Sequence, residues 1–338
     1  MRIDISLLGD EPINNFKDYI TAAFSPNYIL NDPDYLSWQY DGGNVYVAKI
    51  GDQIVGHFGF RDFFYKVGEN TKPFRVLMNL FVLEPYRVMG VGALLAQKVF
   101  DTPADIVVSG YTAVASKLFH RLHPKWHEMG DMSRYFCVFD GNHKLLSEFS
   151  IPKIIAGKFL LPPAENKVFS MEELSELWHK IKDRYQVSIE RTKEYLNWRF
   201  INHPSLKYSF LVARRKGIVS GYLVFRFEEN DAFKIGRIID LVSTKEAECE
   251  LLNLFVGSCK KAGATAADFM FSGKEYGESL EQAGFFNVAG TDFDRFPILF
   301  SPISRKKFNI NIAGTMNIGL DQCYFTKADG DQDRPNLY

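Results

Sequence analysis

The sequence contains no apolar run of the roughly 18 residues that a membrane-spanning helix requires, since even the stretch 76–83 is interrupted by Asn79. The first ten residues include acidic side chains and no long apolar stretch, so we expect no signal peptide. Charge of one sign is not in excess: 40 Lys and Arg stand against 41 Asp and Glu. Nucleic-acid binding depends on clustered basic residues, so nucleic acid is not expected as the main partner. These absences predict a cytoplasmic protein that does not bind membranes.

Cysteine is scarce. The chain has four, without CxxC spacing, at Cys137, Cys249, Cys259 and Cys323. This pattern favours reduced, buried thiols and predicts no metal site. Aromatic residues are plentiful, at 15% of 338 residues, and can both fill a core and stack on flat ligands. The length suggests about two domains.

An internal repeat indicates how the chain is organised. Residues 35–40 (YLSWQY) and 195–200 (YLNWRF) match, and each is followed by a strand, a turn and a second strand. We therefore predict two copies of one α/β unit. The predicted boundaries are a first unit at 1–140, a proline-containing linker at 141–164, a second unit at 165–300 and a C-terminal extension at 301–338.

The chemistry-bearing motif lies between a predicted strand at 76–82 and a predicted helix at 92–100. Pro85 forces a turn there, and Arg-x-x-Gly-x-Gly opens the helix. The first amides of a helix lack intrahelical acceptors and lie at the positive end of its dipole, so they suit a diphosphate. The spacing is neither that of a P-loop nor that of a Rossmann fingerprint. The predicted phosphate-binding residues are Arg87, Val88, Met89, Gly90, Val91, Gly92 and Ala93.

The segment from Val82 to Gly92 resembles the pyrophosphate motif of the GNAT superfamily of acyl-CoA-dependent N-acyltransferases. The resemblance implies a mixed sheet flanked by helices in each unit, acyl-CoA as co-substrate, no metal, and pantetheine contacts from Phe81 and Val82. Ser116 lies in the run that matches a later family motif and is a further expected coenzyme contact. In that run the family's acidic tyrosine is replaced by Phe119.

The second unit also resembles a GNAT unit, but its phosphate loop is altered. Residues 245–250 (KEAECE) carry three carboxylates and no glycine where the first unit has its glycine loop. Carboxylates would repel a diphosphate. We therefore expect acyl-CoA in the first unit alone.

The reaction that the resemblance implies is attack by a neutral primary amine on the thioester carbonyl. A backbone N–H near Phe81 would hold the oxyanion, and Asn79 would orient the amine or the acyl group. A base is required because an ammonium has no lone pair. The candidate side chain is His57, with water as the alternative.

The acceptor site is predicted in the altered second unit and the acidic tail. An aromatic plane, a cation and hydrogen-bonding groups come close together there, and carboxylates could bind hydroxyls or an ammonium. The candidate residues are Trp198, Arg199, His203, Asp329 and Asp331. The tandem arrangement resembles bacterial nucleotide-sugar N-acyltransferases of the dTDP-3-amino-3,6-dideoxyhexose type. That resemblance implies transfer of an acetyl or short hydroxyacyl group to a nucleotide-linked amino sugar for surface polysaccharide such as O-antigen.

Three other functions stay open at this point. They are an acetyltransferase for another small amine, a Fem-type peptidyl transferase that uses aminoacyl-tRNA, and a non-enzymatic acyl-CoA-binding module. A tRNA substrate would favour a basic face, which the charge balance does not indicate. Either a monomer or a homodimer is compatible with the sequence.

Overall fold

A computed structural model describes residues 2–40, 44–152, 169–230, 233–298 and 309–335. Its strands form two sheets. The first contains β1 Asp4–Leu7, β2 Val45–Ile50, β3 Gln53–Val67, β4 Asn70–Val82, β5 Asp105–Ser109, β6 His127–Asp131, β8 Val187–Ile189, β14 Asn311–Gly314 and β15 Cys323–Tyr324. The second contains β7 Ser133–Val138, β9 Ser209–Arg215, β10 Ile218–Asn230, β11 Phe233–Ser243, β12 Ala266–Phe271 and β13 Phe286–Asn287.

Helices pack against these sheets. They are α1 Ile13–Ala23, α2 Pro33–Tyr40, α3 Val91–Phe100, α4 Ala113–Leu122, α5 Met171–Ile181, α6 Lys193–Leu196, α7 Lys245–Lys261 and α8 Gly277–Gln282. Short 3-10 turns lie at Leu8–Asp10, Ile29–Asn31, Glu84–Met89, Lys182–Arg184, Asp292–Arg295, Leu320–Gln322 and Lys327–Asp329, and a π turn lies at Asn197–Ile201. Within the described ranges, every helix falls short of the length and apolarity needed to cross a bilayer.

Both sheets are mixed, which confirms the predicted fold class. The first has the order β1-β2-β3-β4-β5-β14-β6, and β8 pairs with β3 and with β15. The second has the order β13-β7-β12-β11-β10-β9. Each sheet contains a parallel pair at an equivalent place, β4 with β5 and β11 with β12, and β8 and β15 of the first sheet are also parallel.

The repeat is visible in the strand registers. Gly56 on β3 and Gly221 on β10 follow the turn of each copy, and they face Val82 on β4 and Ser243 on β11. A bulge interrupts each of these antiparallel pairs a few residues earlier along β4 and β11. Val82 and Ser243 are therefore equivalent positions in the two units.

The matching tryptophans of the repeat meet where the two units join. Trp38 and Trp198 stack with ring centroids 5.0 Å apart. The indole N–H of Trp38 donates to the carbonyl of Trp198 at 2.8 Å, and that of Trp198 donates back at 2.9 Å. This reciprocal contact joins the units through the segment that most clearly marks the repeat.

Strands are exchanged between the predicted units. β7 lies within the predicted first unit yet pairs in the second sheet, and β14 lies in the predicted extension yet pairs between β5 and β6 of the first. The boundaries at 140 and 301 therefore do not separate the two sheets. Most of the predicted linker, from 153 to 164, lies outside the described residues.

Residues 323–335, which we call the C-terminal strap, connect the two sheets. Tyr324 pairs with β8, Thr326 forms a bridge with Phe271 of β12, and Arg334 reaches Asn79 of β4. The strap is described throughout and is largely buried.

Candidate functional site

The predicted phosphate loop begins where β4 ends. A 3-10 turn at Glu84–Met89, with Pro85 in its first turn, leads to Gly90, which has a left-handed conformation with φ 78°. This conformation favours glycine. An added Cβ at Gly90 would find nothing within 4 Å, so the space in front of the loop is open. The side chain of Val88 in this loop is 94% exposed.

Helix α3 starts directly after the loop. Its first turn, Val91-Gly92-Ala93, is uncharged. Its apolar face packs into the first sheet through Val91, Leu95 and Val99, which fixes the direction of the helix axis. A Cβ added at Gly92 would meet side-chain atoms only at 3.8 Å or more, so packing alone does not require glycine there. The open loop and the helix start fit an anionic group such as a diphosphate.

The two parallel strands beside this loop separate. β4 pairs with β5 only over Phe74–Leu77, although β4 continues to Val82. We call the gap between the ends of β4 and β5 the opening. On its other edge, β4 stays paired with β3 to Val82.

The strand register decides which backbone groups face the opening. The amide of Leu83 donates to the carbonyl of Val55 at 2.9 Å. Hydrogen-bonded and non-bonded pairs alternate in an antiparallel ladder. The backbone polar atoms of Phe81 therefore face β3, and those of Val82 face the opening. The amide available to an oxyanion is thus that of Val82, one residue beyond the predicted Phe81.

Arg87 lies at the rim of the loop. Its Nε donates to the carbonyl of Val82 at 2.9 Å, and its guanidinium lies 5.3 Å from the ring centre of Phe81. The side chain is therefore partly engaged by the protein. Its positive charge stays beside the loop, as the sequence predicts.

His57 is fully buried on the α1 side of the sheet. Its Nδ1 lies 2.8 Å from the hydroxyl of Tyr19, which donates to the carbonyl of Phe81 at 3.0 Å. The single hydroxyl proton cannot serve both contacts, so Nδ1–H of His57 donates to Tyr19 when Tyr19 donates to Phe81. Burial lowers the pKa of His57 to about 3. The imidazole is therefore neutral and enclosed, and a group with so low a pKa is a weak base for an ammonium.

Asn79 occupies the bulge of β4. It has φ 52°, an uncommon conformation for a residue other than glycine. Its Nδ2 donates to the hydroxyl of Tyr40 at 2.7 Å, and its Oδ1 accepts from Arg334 at 2.6 Å. Burial holds the pKa of Tyr40 well above its ordinary value. Asn79 is therefore fixed at both ends of its side chain.

The strap brings one predicted acceptor residue to the opening. Asp331, 7% exposed, accepts from Arg334 at 3.0 Å and from the side chain of Gln332 at 2.9 Å. Gln332 also donates to the carbonyl of Ser109, the last residue of β5. Asp331 therefore lies between the diverging ends of β4 and β5.

Asp329, the other predicted acid of the tail, is enclosed elsewhere. It accepts from Arg191 at 2.8 Å and from Tyr195 at 3.0 Å. Burial raises its pKa, although Arg191 opposes the shift. These contacts make Asp329 an anchor of the strap.

The three predicted acceptor residues of the second unit also contact protein groups: Arg199 and His203 are buried, and Trp198 is half-buried. Trp198 stacks on Trp38. Arg199 is fully buried and donates to the strap carbonyls of Ala328 and Asp333, each at 3.0 Å. Nδ1 of His203 accepts from two backbone amides, and burial together with Arg199 lowers its pKa to about 3. In this structure the three residues hold the units and the strap together.

Ser116 of α4 contacts strand β6. It is nearly buried and donates to the carboxylate of Glu128 on β6 at 2.5 Å. From α4, the side chain of Leu118 lies 3.9 Å from the Cβ position of Gly92. Phe119 packs against Phe58 in the core. The structure thus gives α4 an apolar contact with the loop.

The second unit carries protein groups where the first is open. The hydroxyl of Tyr324 accepts from the amide of Leu241 at 3.0 Å and donates to its carbonyl at 2.6 Å. At the start of α7, the carboxylate of Glu248 is buried and accepts from Ser279 at 2.6 Å. Both the strand edge and the helix start are thus occupied by the chain itself.

Sequence reasoning missed Tyr19, Tyr40 and Arg334. The two tyrosines lie in helices α1 and α2, where aromatic residues are ordinary core residues. Arg334 carried a weak signal, since it is the one basic residue of the acidic segment 329–335. No sequence pattern relates it to Asn79.

The fold and the site define a class: tandem mixed-sheet units in which one unit has an open, uncharged helix start beside an opening between parallel strands. Residues 13–115 match the family model described as the acetyltransferase (GNAT) family. The first unit is therefore similar to a GNAT domain over these residues, and an acyltransferase is the enzyme class that this match supports. Among curated proteins, no sequence matches the chain.

Solved structures share the fold over most of this chain. A GCN5-related N-acetyltransferase from Anabaena variabilis has 13% identity and a TM-score of 0.58, covering 92% of this chain and 72% of its own. N-myristoyltransferase from Saccharomyces cerevisiae, solved with myristoyl-CoA, has 12% identity and a TM-score of 0.56, covering 94% and 83%. A GCN5-related N-acetyltransferase from Kribbella flavida has 15% identity and a TM-score of 0.54, covering 92% and 71%. At these identities the likeness shows the fold.

Proposed function

We propose that the protein is an acyl-CoA-dependent N-acyltransferase that acylates a primary amine, with a nucleotide-linked amino sugar as acceptor. The acyl group is acetyl or a short hydroxyacyl, and the product serves surface polysaccharide. The observation that carries the transferase proposal is the open helix start of α3 beside the backbone of Val82. The acceptor class rests on the resemblance of the tandem sequence to nucleotide-sugar N-acyltransferases.

The coenzyme side of the proposal is supported by the difference between the two units. The first has an uncharged helix start and open space at Gly90. The second has Tyr324 on its strand edge and a buried Glu248 at its helix start. We therefore propose that the loop holds the diphosphate through the amides of Val91 and Gly92, since the amide of Ala93 already donates to the carbonyl of Gly90 at 3.0 Å, and that the first unit alone binds acyl-CoA.

In the proposed reaction the lone pair of the amine attacks the thioester carbonyl carbon. A C–N bond forms, the C–S bond breaks, and sulfur leaves as a thiolate. The amide of Val82 stabilises the oxyanion. A thiol has an ordinary pKa near 8.5, so the thiolate can leave without a side-chain acid, which agrees with the phenylalanine at 119.

The proton that the amine loses passes to water, since the Asp331 carboxylate accepts from the Arg334 guanidinium and a carboxylate is a weak base for an ammonium. Each oxygen of Asp331 accepts one protein hydrogen bond, and a carboxylate oxygen can accept two. Asp331 can therefore also bind the ammonium form of the acceptor. His57 takes a positioning role through Tyr19 in place of the base role that the sequence suggested.

The test is a thiol-release assay that pairs acetyl-CoA and short hydroxyacyl-CoAs with nucleotide-linked amino sugars, and with simple amines for comparison. We expect CoA release that depends on both substrates, with a nucleotide-linked amino sugar preferred. Preference for a simple amine would refute the acceptor class. Coenzyme binding without release from any amine would refute the transferase proposal and favour a binding module.

A further inference from the structure

The strap forms a continuous polar bridge across the opening. Asn79 of β4 accepts from Nη1 of Arg334 at 2.6 Å, and the same nitrogen donates to Asp331 at 3.0 Å. Asp331 accepts from Gln332 at 2.9 Å, which donates to Ser109 of β5 at 3.0 Å. Four side-chain hydrogen bonds thus link the two strand ends that no longer pair with each other.

The bridge ends on the strained residue of β4. A left-handed conformation is unfavourable for Asn79 relative to ordinary strand geometry and persists only where surrounding contacts impose it. Tyr40 and Arg334 supply those contacts from opposite ends of the amide. The bulge at Asn79 sets the register of the next residues, so it also sets where the amide of Val82 lies.

The strap itself is anchored on the second unit. Asp333 accepts from Arg226 at 2.7 Å and from Tyr208 at 2.8 Å, all within largely buried surroundings. Although burial opposes it, the charges of Arg226 and Lys327 hold the pKa of Asp333 below its ordinary value, so it is ionised. Arg334, the next residue, is thereby held at a defined distance from the second sheet.

We propose that Arg334 is a positioning residue that transmits the rigidity of the second unit to the bulge at Asn79. In this arrangement the second unit holds the strap, and Arg334 of the strap fixes the edge of β4 that carries the amide of Val82. The consequence for catalysis rests on the proposed function above. The consequence for β4 does not rest on the proposed function, because it concerns only the order of the β4 backbone.

The experiment compares Arg334→Met with Arg334→Lys, which keeps a cation but has a shorter reach. Arg215→Met is the matched control, because Arg215 is an exposed arginine of β9 that pairs with Glu250. Hydrogen–deuterium exchange is measured on the peptide that contains residues 76–83. In Arg334→Met we expect about tenfold faster exchange of this peptide, because one charge-assisted hydrogen bond is lost. Arg334→Lys should show a smaller increase, and Arg215→Met should show none.

Kinetics add a second readout. If the wild type is active, kcat in Arg334→Met should fall by about tenfold while the calorimetric affinity for CoA stays unchanged. In Asn79→Ala the same fall is expected, and the double variant should lose no more than either single one.

Two results would overturn the inference. One is unchanged exchange at 76–83 in a folded Arg334→Met protein, which needs no activity to observe. The other is additive losses in the double variant. A wild type that releases no CoA would refute the proposed function, and the exchange result would still decide the role of Arg334.

Discussion

Replacing Gly92 with aspartate tests the phosphate site most directly. A Cβ at this position makes only ordinary contacts, 3.8 Å from Val82 and 3.9 Å from Leu118. Gly92 is the second residue of α3, where a carboxylate interacts favourably with the helix dipole, by about 0.3–1 kcal/mol. We therefore expect Gly92→Asp to fold with wild-type or slightly higher stability.

The same carboxylate should weaken coenzyme binding strongly. Two like unit charges about 5 Å apart repel by about 3 kcal/mol at an effective dielectric constant of about 20. This energy corresponds to a loss of affinity of more than about 100-fold. Because the repulsion is electrostatic, added salt should reduce the loss.

Isothermal titration calorimetry with CoA measures the effect, and circular dichroism checks the fold. Gly92→Asn is the control, since asparagine has nearly the same volume without the charge and should bind far better than the aspartate variant. If Gly92→Asp retained an affinity close to that of the wild type, the helix start of α3 would not be the phosphate site.

Three further predictions concern the rest of the molecule. Glu246→Gly, at the equivalent helix position of the second unit, should leave calorimetric CoA affinity unchanged; a large loss would mean that the second unit binds the coenzyme. Tyr324→Phe should lower the free energy of unfolding in urea by about 1–3 kcal/mol, because it leaves the buried amide of Leu241 without its acceptor; an unchanged value would contradict that contact. Acid should destabilise the fold. Burial lowers the pKa of His57 in the folded protein from 6.5 to about 3. Below about pH 6.5 the unfolded chain therefore binds the proton more readily than the folded protein, and the free energy of unfolding falls as the pH drops toward 3. His57→Asn, whose amide can still donate to Tyr19, should show a shallower fall over that range, and an identical slope would argue against a neutral buried histidine.

The loop that precedes α3 and the start of that helix were predictable because their signals are local. A buried strand, a proline turn and glycines at a helix start act over about twenty residues, and the amides involved belong to that same segment. The second unit's carboxylates at 245–250 are local in the same sense, and Glu248 does lie buried at the start of α7. The repeat was also readable, because equivalent segments keep similar residues at similar spacing.

The roles of the acceptor candidates were harder to predict, because they depend on burial. Arg199 and Asp329 have the chemistry of ligand-binding residues, yet each meets its partners within the protein. Asp331 has the same chemistry and reaches the opening. The sequence does not distinguish these cases, because the same residue type can either pair with a group inside the protein or be available to a substrate.

The two α/β units, the glycine-containing helix start of the first and the carboxylate-bearing helix start of the second follow from the amino-acid order alone, because all three depend on neighbouring residues. Three features were decided only by the tertiary structure. They are the exchange of strands between the sheets, the hydrogen bonds of Tyr324 to the strand edge of the second unit, and the contact of Arg334 with Asn79 across 255 residues. These contacts form only when the chain has folded, since the cost of closing such long loops is offset by burial of the strap as a whole.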